Sequence, residues 1–247
     1  MDFALSDDQV ELKQAARAWL ADRFPLDRDW DAQDDRWSEL EELGWLDVAE
    51  AGLGFVEEAL LLEEMGYACY PGLYLAHVAS SASDGDDATV DPTRPLLRIE
   101  DGSEDSPRFR AACAAEALGV AQRALDLGVE HAKTRVQFGK PIGTYQAVSH
   151  PLAQTYTDVE LARSLVYLAA WCVAEEDERA EAAAAAAKAF ATEAAVAACE
   201  RSIQVHGGIG FTWEHPLHRF YRRALWLEGC GRRPAALRLE VAGLLLA

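Results

Sequence analysis

The chain has 247 residues, half of them hydrophobic, and a formal net charge of -19. This length permits one large domain or two modest ones, and the acidic balance makes nucleic acid and anionic membranes poor partners because both would repel the protein. An acidic start and the lack of an apolar run of ~18 to 20 residues favour a soluble protein of the cytoplasm over a secreted or membrane-spanning one.

The five cysteines are spread through the sequence and include no Cys-x-x-Cys pair. Zinc sites place cysteines and histidines at short, regular spacings, which these residues lack. The pattern therefore favours reduced, mostly buried thiols, as in a cytosolic protein. They are Cys69, Cys113, Cys172, Cys199 and Cys230.

The first 70 residues predict an N-terminal helical domain of three helices. Ser6 is suited to cap a helix that runs to about Arg23, because acids fill its first turn and apolar residues then recur at helical spacing. A short second helix is predicted over residues 37–43. A third is predicted over residues 56–65, where Gly66 ends it.

Residues 71–106 are rich in Ser, Asp, Gly and Pro, which mark turns and loose loops. Only residues 96–99 suggest a strand, and one short strand cannot form a stable sheet. We therefore interpret this segment as a linker, or as the vestige of a domain.

Residues 107–247 predict helices almost throughout. Long helices are expected over residues 109–133 and 145–175, and an alanine-rich one over 181–205. Pro216 and Pro234 can each open a further helix, the last ending near Leu246. The predicted fold class is therefore all-α: the N-terminal helices, followed by a C-terminal antiparallel four-helix bundle.

A cluster of cationic, amide and aromatic residues lies between the first two long helices of the predicted bundle. It reads R-V-Q-F-G-K-P-I-G over residues 135–143. Arg135 offers forked donors for phosphate, Gln137 both a donor and an acceptor, and Phe138 a face for stacking, so the cluster suits a flat, phosphorylated cofactor. The alternative is a turn rich in Gly and Pro whose Phe138 plugs the core.

A second cluster, Q-V-H-G-G-I-G-F-T over residues 204–212, follows the alanine-rich helix. Gly207 and Gly208 would let the backbone approach a ligand, and their N–H groups could face an anion. The alternative is an ordinary glycine-terminated helix end. Taken alone, His206 is more typical of a structural residue than of a catalyst.

Together the two clusters and their spacing resemble the acyl-CoA dehydrogenase family. The resemblance is carried by residues 135–146, 204–212, 218–224 (H-R-F-Y-R-R-A) and 5–12 (L-S-D-D-Q-V-E-L), and it covers about residues 1–70 and 107–247. It implies a flavoenzyme in which a carboxylate takes the α proton of an acyl-CoA and FAD takes the β hydride.

The resemblance also implies six cofactor contacts. In the family, residues at the positions of Arg135, Gln137 and Phe138 contact an FAD bound across a subunit interface. The segment that corresponds to Gln204, Gly207 and Gly208 holds the ADP portion of FAD.

The chain departs from the family pattern in two respects. Residues 71–106 are too few to form the middle β-domain that covers the flavin ring, so another chain would have to shelter the ring. The two positions that hold the family's catalytic base correspond to Gly231 and Phe109, which cannot take a proton. Glu228 reaches the first position only after a three-residue slip that both flanks oppose, and Glu116 is interpreted as structural.

The resemblance therefore favours the FAD-binding subunit of a heterotetrameric acyl-CoA dehydrogenase that acts on a bulky acyl-CoA. A second dehydrogenase-like subunit would supply the base, and an electron-transfer flavoprotein is one candidate for the electron acceptor. Two alternatives stay open: a structural or regulatory helical partner without catalytic function, and a self-sufficient dehydrogenase that uses Glu228. The sequence leaves the acyl group, the partner and the FAD stoichiometry open.

Overall fold

The computed structural model describes residues 4–30, 34–48, 51–79 and 106–246, together with the backbone of residues 82–83 and 98–99. The described N-terminal region contains helices α1 (Asp7–Arg23), α2 (Trp37–Glu42), α3 (Phe55–Ala68) and α4 (Tyr74–Val78). The first three confirm that the predicted helices exist, but Gly66 does not end the third, which continues to Ala68. Ser6 caps α1, because its hydroxyl accepts from the Gln9 N–H while the Gln9 side chain accepts from the Ser6 N–H.

Helix α4 falls inside the segment that we predicted to be a linker. Tyr74, Leu75 and Val78 are buried, and the Tyr74 hydroxyl donates to the carbonyl of Trp45 at 3.0 Å. Residues 71–79 are thus packed structure and not loose loop. The sequence pattern missed this because five residues are too short to show a helical period.

Part of the remaining linker segment forms a small sheet. Strand β1 (Ala82–Ser83) pairs antiparallel with β2 (Arg98–Ile99), so the strand predicted over residues 96–99 has a partner that the sequence did not reveal. Residues 80–81, 84–97 and 100–105 lie outside the described residues.

The C-terminal region consists of α5 (Pro107–Thr134), α6 (Gln146–Ala174), α7 (Ala180–His206), α8 (Leu217–Gly229) and α9 (Pro234–Leu246). Three of these helices are long, while α8 and α9 have 13 residues each. Ser106 caps α5 through its hydroxyl, which accepts from the Phe109 N–H at 3.1 Å. Pro234 opens α9 as predicted, whereas Pro216 is the residue before the first turn of α8.

Helices α5 and α7 run parallel and in close contact, with α6 antiparallel to both. At their starts, Arg110 contacts Glu181 at 2.8 Å, and at their ends the rings of His131 and His206 are 4.3 Å apart. Buried alanines line both helices, and such small side chains let helix axes approach closely.

The N-terminal helices and the bundle share one hydrophobic core. Helix α3 packs against α5 at two glycines, where a Cβ at Gly66 would overlap the carbonyl of Glu116 and a Cβ at Gly119 would overlap the carbonyl of Glu63. The two backbones are therefore in direct contact, which fixes how α1 to α4 sit on the bundle.

Within the described chain, the helical stretch Ala180–Phe211 is long and apolar enough to cross a membrane by composition alone. More than half of its most apolar window, 61%, is buried inside the structure. Burial against neighbouring helices is what the core helix of a soluble bundle shows.

Candidate functional site

The first sequence cluster forms a tight hairpin between α5 and α6. Strand β3 (Val136–Gln137) pairs antiparallel with β4 (Lys140–Pro141), and both residues of the turn have positive φ, 53° at Phe138 and 81° at Gly139. Such values are typical of the two-residue turns that suit twisted hairpins. The turn directs Phe138 outward and leaves it 91% exposed. The alternative in which Phe138 plugs the core is therefore wrong.

The hairpin presents polar groups to its surroundings. Arg135 is exposed, and within the described residues no carboxylate lies within 4.0 Å of its guanidinium. The Gln137 amide donates to the carbonyl of its neighbour Val136 at 2.8 Å. Tyr145 supports the hairpin from the start of α6, because its hydroxyl donates to the Gln137 carbonyl at 3.3 Å. A cation, an amide and an aromatic face are thus held at one exposed turn.

The second sequence cluster forms the end of α7 and a 3₁₀ turn over Gly207–Phe211. Gln204 is exposed, and Gly207 has a φ of 65° that glycine adopts readily. A Cβ at Gly207 or Gly208 would meet no atom within 4 Å. Gly207 thus serves the helix end, while Gly208 has no packing role and faces open space in which a ligand could lie.

The two clusters converge at one end of the bundle, where the rings of three histidines contact one another. The His206 ring lies 4.3 Å from that of His131 and 4.4 Å from that of His215. His131 lies one helical turn before Arg135, and His206 lies two residues after Gln204. His206 is buried and its Nδ1 lies 2.8 Å from the Ser202 carbonyl, which confirms the structural role expected for it.

Sequence reasoning missed His131 and His215 because no local pattern relates residues so far apart in the chain. Burial lowers the pKa of His131, and His206 and Arg135 lower it further. Burial and the neighbouring His206 lower the pKa of His215 to about 4, so the His215 ring is neutral at physiological pH. Positive charge at this end comes from Arg135 and from exposed Lys140 of the same hairpin.

Phe109 and Gly231, the two residues predicted at the family's base positions, lie at the opposite end of the bundle. Phe109 is fully buried in the first turn of α5. Gly231 has a φ of 64° between α8 and α9, and Lys188 of α7 donates to the carbonyls on either side of it, those of Cys230 (2.5 Å) and Arg232 (2.8 Å). From residue 188 to residue 206, eighteen residues of α7 span about 27 Å.

Neither nearby carboxylate takes the place of the base. Glu228 is half-buried in the last turn of α8, on the same remote end. Glu116 is buried and its Oε1 accepts from the Arg223 guanidinium at 2.6 Å, which agrees with the structural role expected for it. The described residues thus place cofactor-type groups at one end and no proton acceptor at either family base position.

This fold and site define a helical protein with an exposed surface of cationic and aromatic residues. The surface lies where the α5–α6 hairpin meets the end of α7. Family models agree with this class. The acyl-CoA dehydrogenase C-terminal domain matches residues 107–230, which is half of the chain, and the acyl-CoA dehydrogenase N-terminal domain matches residues 6–84. The chain belongs to the acyl-CoA dehydrogenase family.

Individual relatives extend this result. Acyl-CoA dehydrogenase IpdE2 of Mycobacterium tuberculosis is 42% identical over 146 residues, which are 56% of this chain and 44% of the relative. The chain thus matches less than half the length of this relative.

Two solved structures show the same fold at 20% identity. Butyryl-CoA dehydrogenase of Megasphaera elsdenii has a TM-score of 0.82 and covers 100% of both chains. The ChsE4-ChsE5 complex of M. tuberculosis has a TM-score of 0.81, with 100% of this chain and 99% of the other covered.

Proposed function

We propose that this chain is the FAD-binding subunit of a heteromeric acyl-CoA dehydrogenase that dehydrogenates a bulky acyl-CoA between its α and β carbons. One observation carries the proposal: the α5–α6 hairpin and the end of α7, both exposed and both with cofactor-type residues, converge at one end of the bundle. The family resemblance assigns the base positions to Gly231 and Phe109, which cannot take a proton. The proton acceptor then comes from a second subunit.

The residues present fit the phosphate and adenine end of FAD. Arg135 has no carboxylate partner among the described residues, so its forked donors are available to a phosphate. Gln204 is exposed beside Gly207 and Gly208, and open space adjoins both glycines. A flat aromatic group can lie against Phe138. Bound FAD would supply the group that accepts the hydride.

In this arrangement the chain positions the cofactor and does not move the proton. Arg135 neutralises phosphate charge, and the contacts of His206 with His131 and His215 hold the two clusters together. Gln137 and Gln204 offer amide groups for orientation. Exposed Phe138 and Phe211, 91% and 76% accessible, would exclude water once a partner covers them.

A second dehydrogenase-like chain is the proposed partner. The described part of residues 71–106 holds a short helix and two strand pieces, which cannot cover a flavin ring. Among solved structures with this fold is a complex of two differently named chains, ChsE4 and ChsE5, so the fold is compatible with such pairing. We also propose a heterotetramer in the cytoplasm, with an electron-transfer flavoprotein as the electron acceptor.

Co-purification with the product of a neighbouring dehydrogenase-like gene tests the proposal. We expect a yellow complex with acyl-CoA dehydrogenase activity, and loss of flavin absorbance when Arg135 or Gln204 is replaced by Ala. Arg179→Ala is the matched control, because Arg179 is an exposed arginine in the turn between α6 and α7. If all variants keep the same flavin content, the chain is a structural or regulatory partner.

Glu228→Gln in the same complex tests the alternative in which this chain is a self-sufficient dehydrogenase with Glu228 as its base. We expect turnover to be unchanged, since Glu228 lies at the remote end of the bundle. Loss of turnover with flavin retained would instead identify Glu228 as the base.

A further inference from the structure

A cavity of about 530 Å³ lies between the end of α1, the end of α3 and the middle of α5. Its apolar wall includes Leu20, Phe24, Pro25 and Leu26. This volume falls within the range of about 300–1,000 Å³ that is usual for small-molecule sites. The nature of a ligand then depends on the polar groups that face the cavity.

One cation of the cavity is already neutralised. Arg17 forms a two-point contact with Glu64, in which Nη2 donates to Oε1 at 3.0 Å and Nε donates to Oε2. The same guanidinium lies 3.3 Å from the centre of the Tyr67 ring. Arg17 and Glu64 therefore close the polar side of the cavity as a neutral pair.

The second cation, Arg123, faces the cavity without such a partner. It is half-buried, and its Nη1 donates to the Tyr67 hydroxyl at 2.9 Å. In the part of the chain that the structure describes, no carboxylate lies within 4.0 Å of this guanidinium. A half-buried charge of this kind is stabilised by a counter-ion.

Arg123 is also held in a fixed orientation. The Tyr67 hydroxyl that accepts from Arg123 donates in turn to Asp126 at 2.8 Å, and Asp126 accepts a second bond from Gln122. Burial and Asp126 raise the pKa of Tyr67, so the phenol stays protonated as the link. The contact to Tyr67 uses one of the five N–H donors of the guanidinium.

We propose that this cavity binds an amphiphilic monocarboxylate, such as the free acid of an acyl chain. The carboxylate pairs with the Arg123 guanidinium, whose planar fork matches its two oxygens. The apolar tail lies along Leu20, Phe24 and Leu26. A monoanion fits best, because the lining charges of Arg17, Glu64 and Arg123 sum to +1, and further negative charge would face Glu64.

Calorimetric titration of the purified chain with decanoate tests this site. We expect saturable binding of one decanoate per chain, weakened at least about tenfold in Arg123→Met, which keeps an unbranched apolar side chain but removes the charge. Decanol should bind the chain and this variant equally, and inorganic phosphate should not displace decanoate. Arg179→Met is the control and should bind decanoate as the unaltered chain does.

A second variant tests the cavity independently of Arg123. Ala21 lines the cavity and is exposed, so Ala21→Trp should fill the space and abolish decanoate binding without disturbing the core. The proposal is overturned if the unaltered chain shows no saturable binding, if Arg123→Met binds decanoate as tightly, if phosphate competes, or if Ala21→Trp leaves binding intact. None of these readouts depends on flavin, so the outcome is independent of the proposed dehydrogenase function.

Discussion

At the scale of single residues, the two glycines that follow α7 have different physical roles although they are adjacent. Gly207 has a φ of 65°, whereas the backbone of Gly208 is not in the left-handed region. Open space surrounds the Cβ position of both. Backbone conformation therefore requires glycine at the first position, and only a ligand or partner would require it at the second.

We predict that Gly207→Ala lowers the free energy of unfolding by about 1 kcal/mol, because an L side chain is disfavoured at positive φ. Gly208→Ala should leave that free energy within about 0.5 kcal/mol of the unaltered chain but reduce the flavin content of the complex. Urea denaturation and visible absorbance measure the two effects. Full flavin content in Gly208→Ala would show that the open space is not used by the cofactor.

Phe138 also has a positive φ, although unlike Gly207 it is not a glycine. Its φ of 53° is unfavourable for a side chain with a Cβ, yet it is the residue that the hairpin exposes most fully. Backbone strain of this kind is worth about 1–3 kcal/mol and is found where surrounding structure or function demands it. The demand here is the two-residue turn of the hairpin, in which both Phe138 and Gly139 have positive φ.

At the scale of elements, the contact between α3 and α5 depends on the absence of side chains at Gly66 and Gly119. A Cβ at Gly119 would overlap the Glu63 carbonyl of α3, and a Cβ at Gly66 would overlap the Glu116 carbonyl of α5. Glu63 also binds Lys13 of α1 at 2.7 Å and accepts from Arg163 of α6. The glycine contact therefore positions a charge network that joins the three helices α1, α3 and α6.

We predict that Gly119→Ala destabilises the protein by about 1–3 kcal/mol, because the new methyl group must push two helix backbones apart. Gly243→Ala is the matched control: Gly243 is also helical, but its Cβ position is open, so the change should stabilise α9 by up to about 1 kcal/mol. Thermal unfolding of both variants measures the difference. Equal effects of the same sign would contradict the proposed close approach.

At the scale of the whole molecule, the bundle has two ends with different chemistry. One end holds Arg135, Gln204 and the contact of His131 with His206, and the other holds Phe109, Gly231 and paired charges such as Arg110 with Glu240. About 27 Å of α7 separates them. Under the proposed function, the partner subunit must therefore reach the groups at the Arg135 end and bring its own base.

Three histidines at this end of the bundle make the stability of the folded chain depend on pH. Burial and neighbouring positive groups lower the pKa of His131, His215 and His218 in the folded chain, that of His215 to about 4. Unfolded histidines titrate near about 6.5, so the unfolded chain binds more protons below that pH. The stabilisation is complete above about pH 6.5 and is lost progressively as the pH falls towards 4.

We predict that the unfolding temperature drops between pH 7 and pH 5, and that His215→Asn reduces this drop. Asparagine keeps an acceptor for the Leu217 N–H, which now donates to His215 Nδ1 at 3.2 Å. His150→Asn, at an exposed position of α6, controls for the loss of one histidine. Calorimetry at the two pH values is the measurement, and an unchanged drop in His215→Asn would refute the assignment.

Much of the secondary structure could be predicted because its causes are local. Ser6 caps α1 through Gln9, Pro107 and Pro234 open their helices, and alanines favour α7, all within a few residues of sequence. Each predicted helix is present, although α8 and α9 are shorter than the other bundle helices. The short α4 and the pairing of β1 with β2 were missed, because burial by distant residues stabilises the first and a distant segment pairs with the second.

The sequence by itself determined the family and the residues at its motif positions, since motif identity and spacing are properties of the chain alone. It could not decide between an exposed and a buried Phe138, because positive φ at Phe138 and Gly139 depends on how the hairpin closes. Only tertiary structure brought His131 to His206, placed Gly231 far from Arg135, and left Arg123 with no carboxylate within 4.0 Å in the part of the chain that the structure describes. The physical reason is that these distances between residues depend on how α5 packs against α3 and α7, and no local stretch of sequence determines that packing.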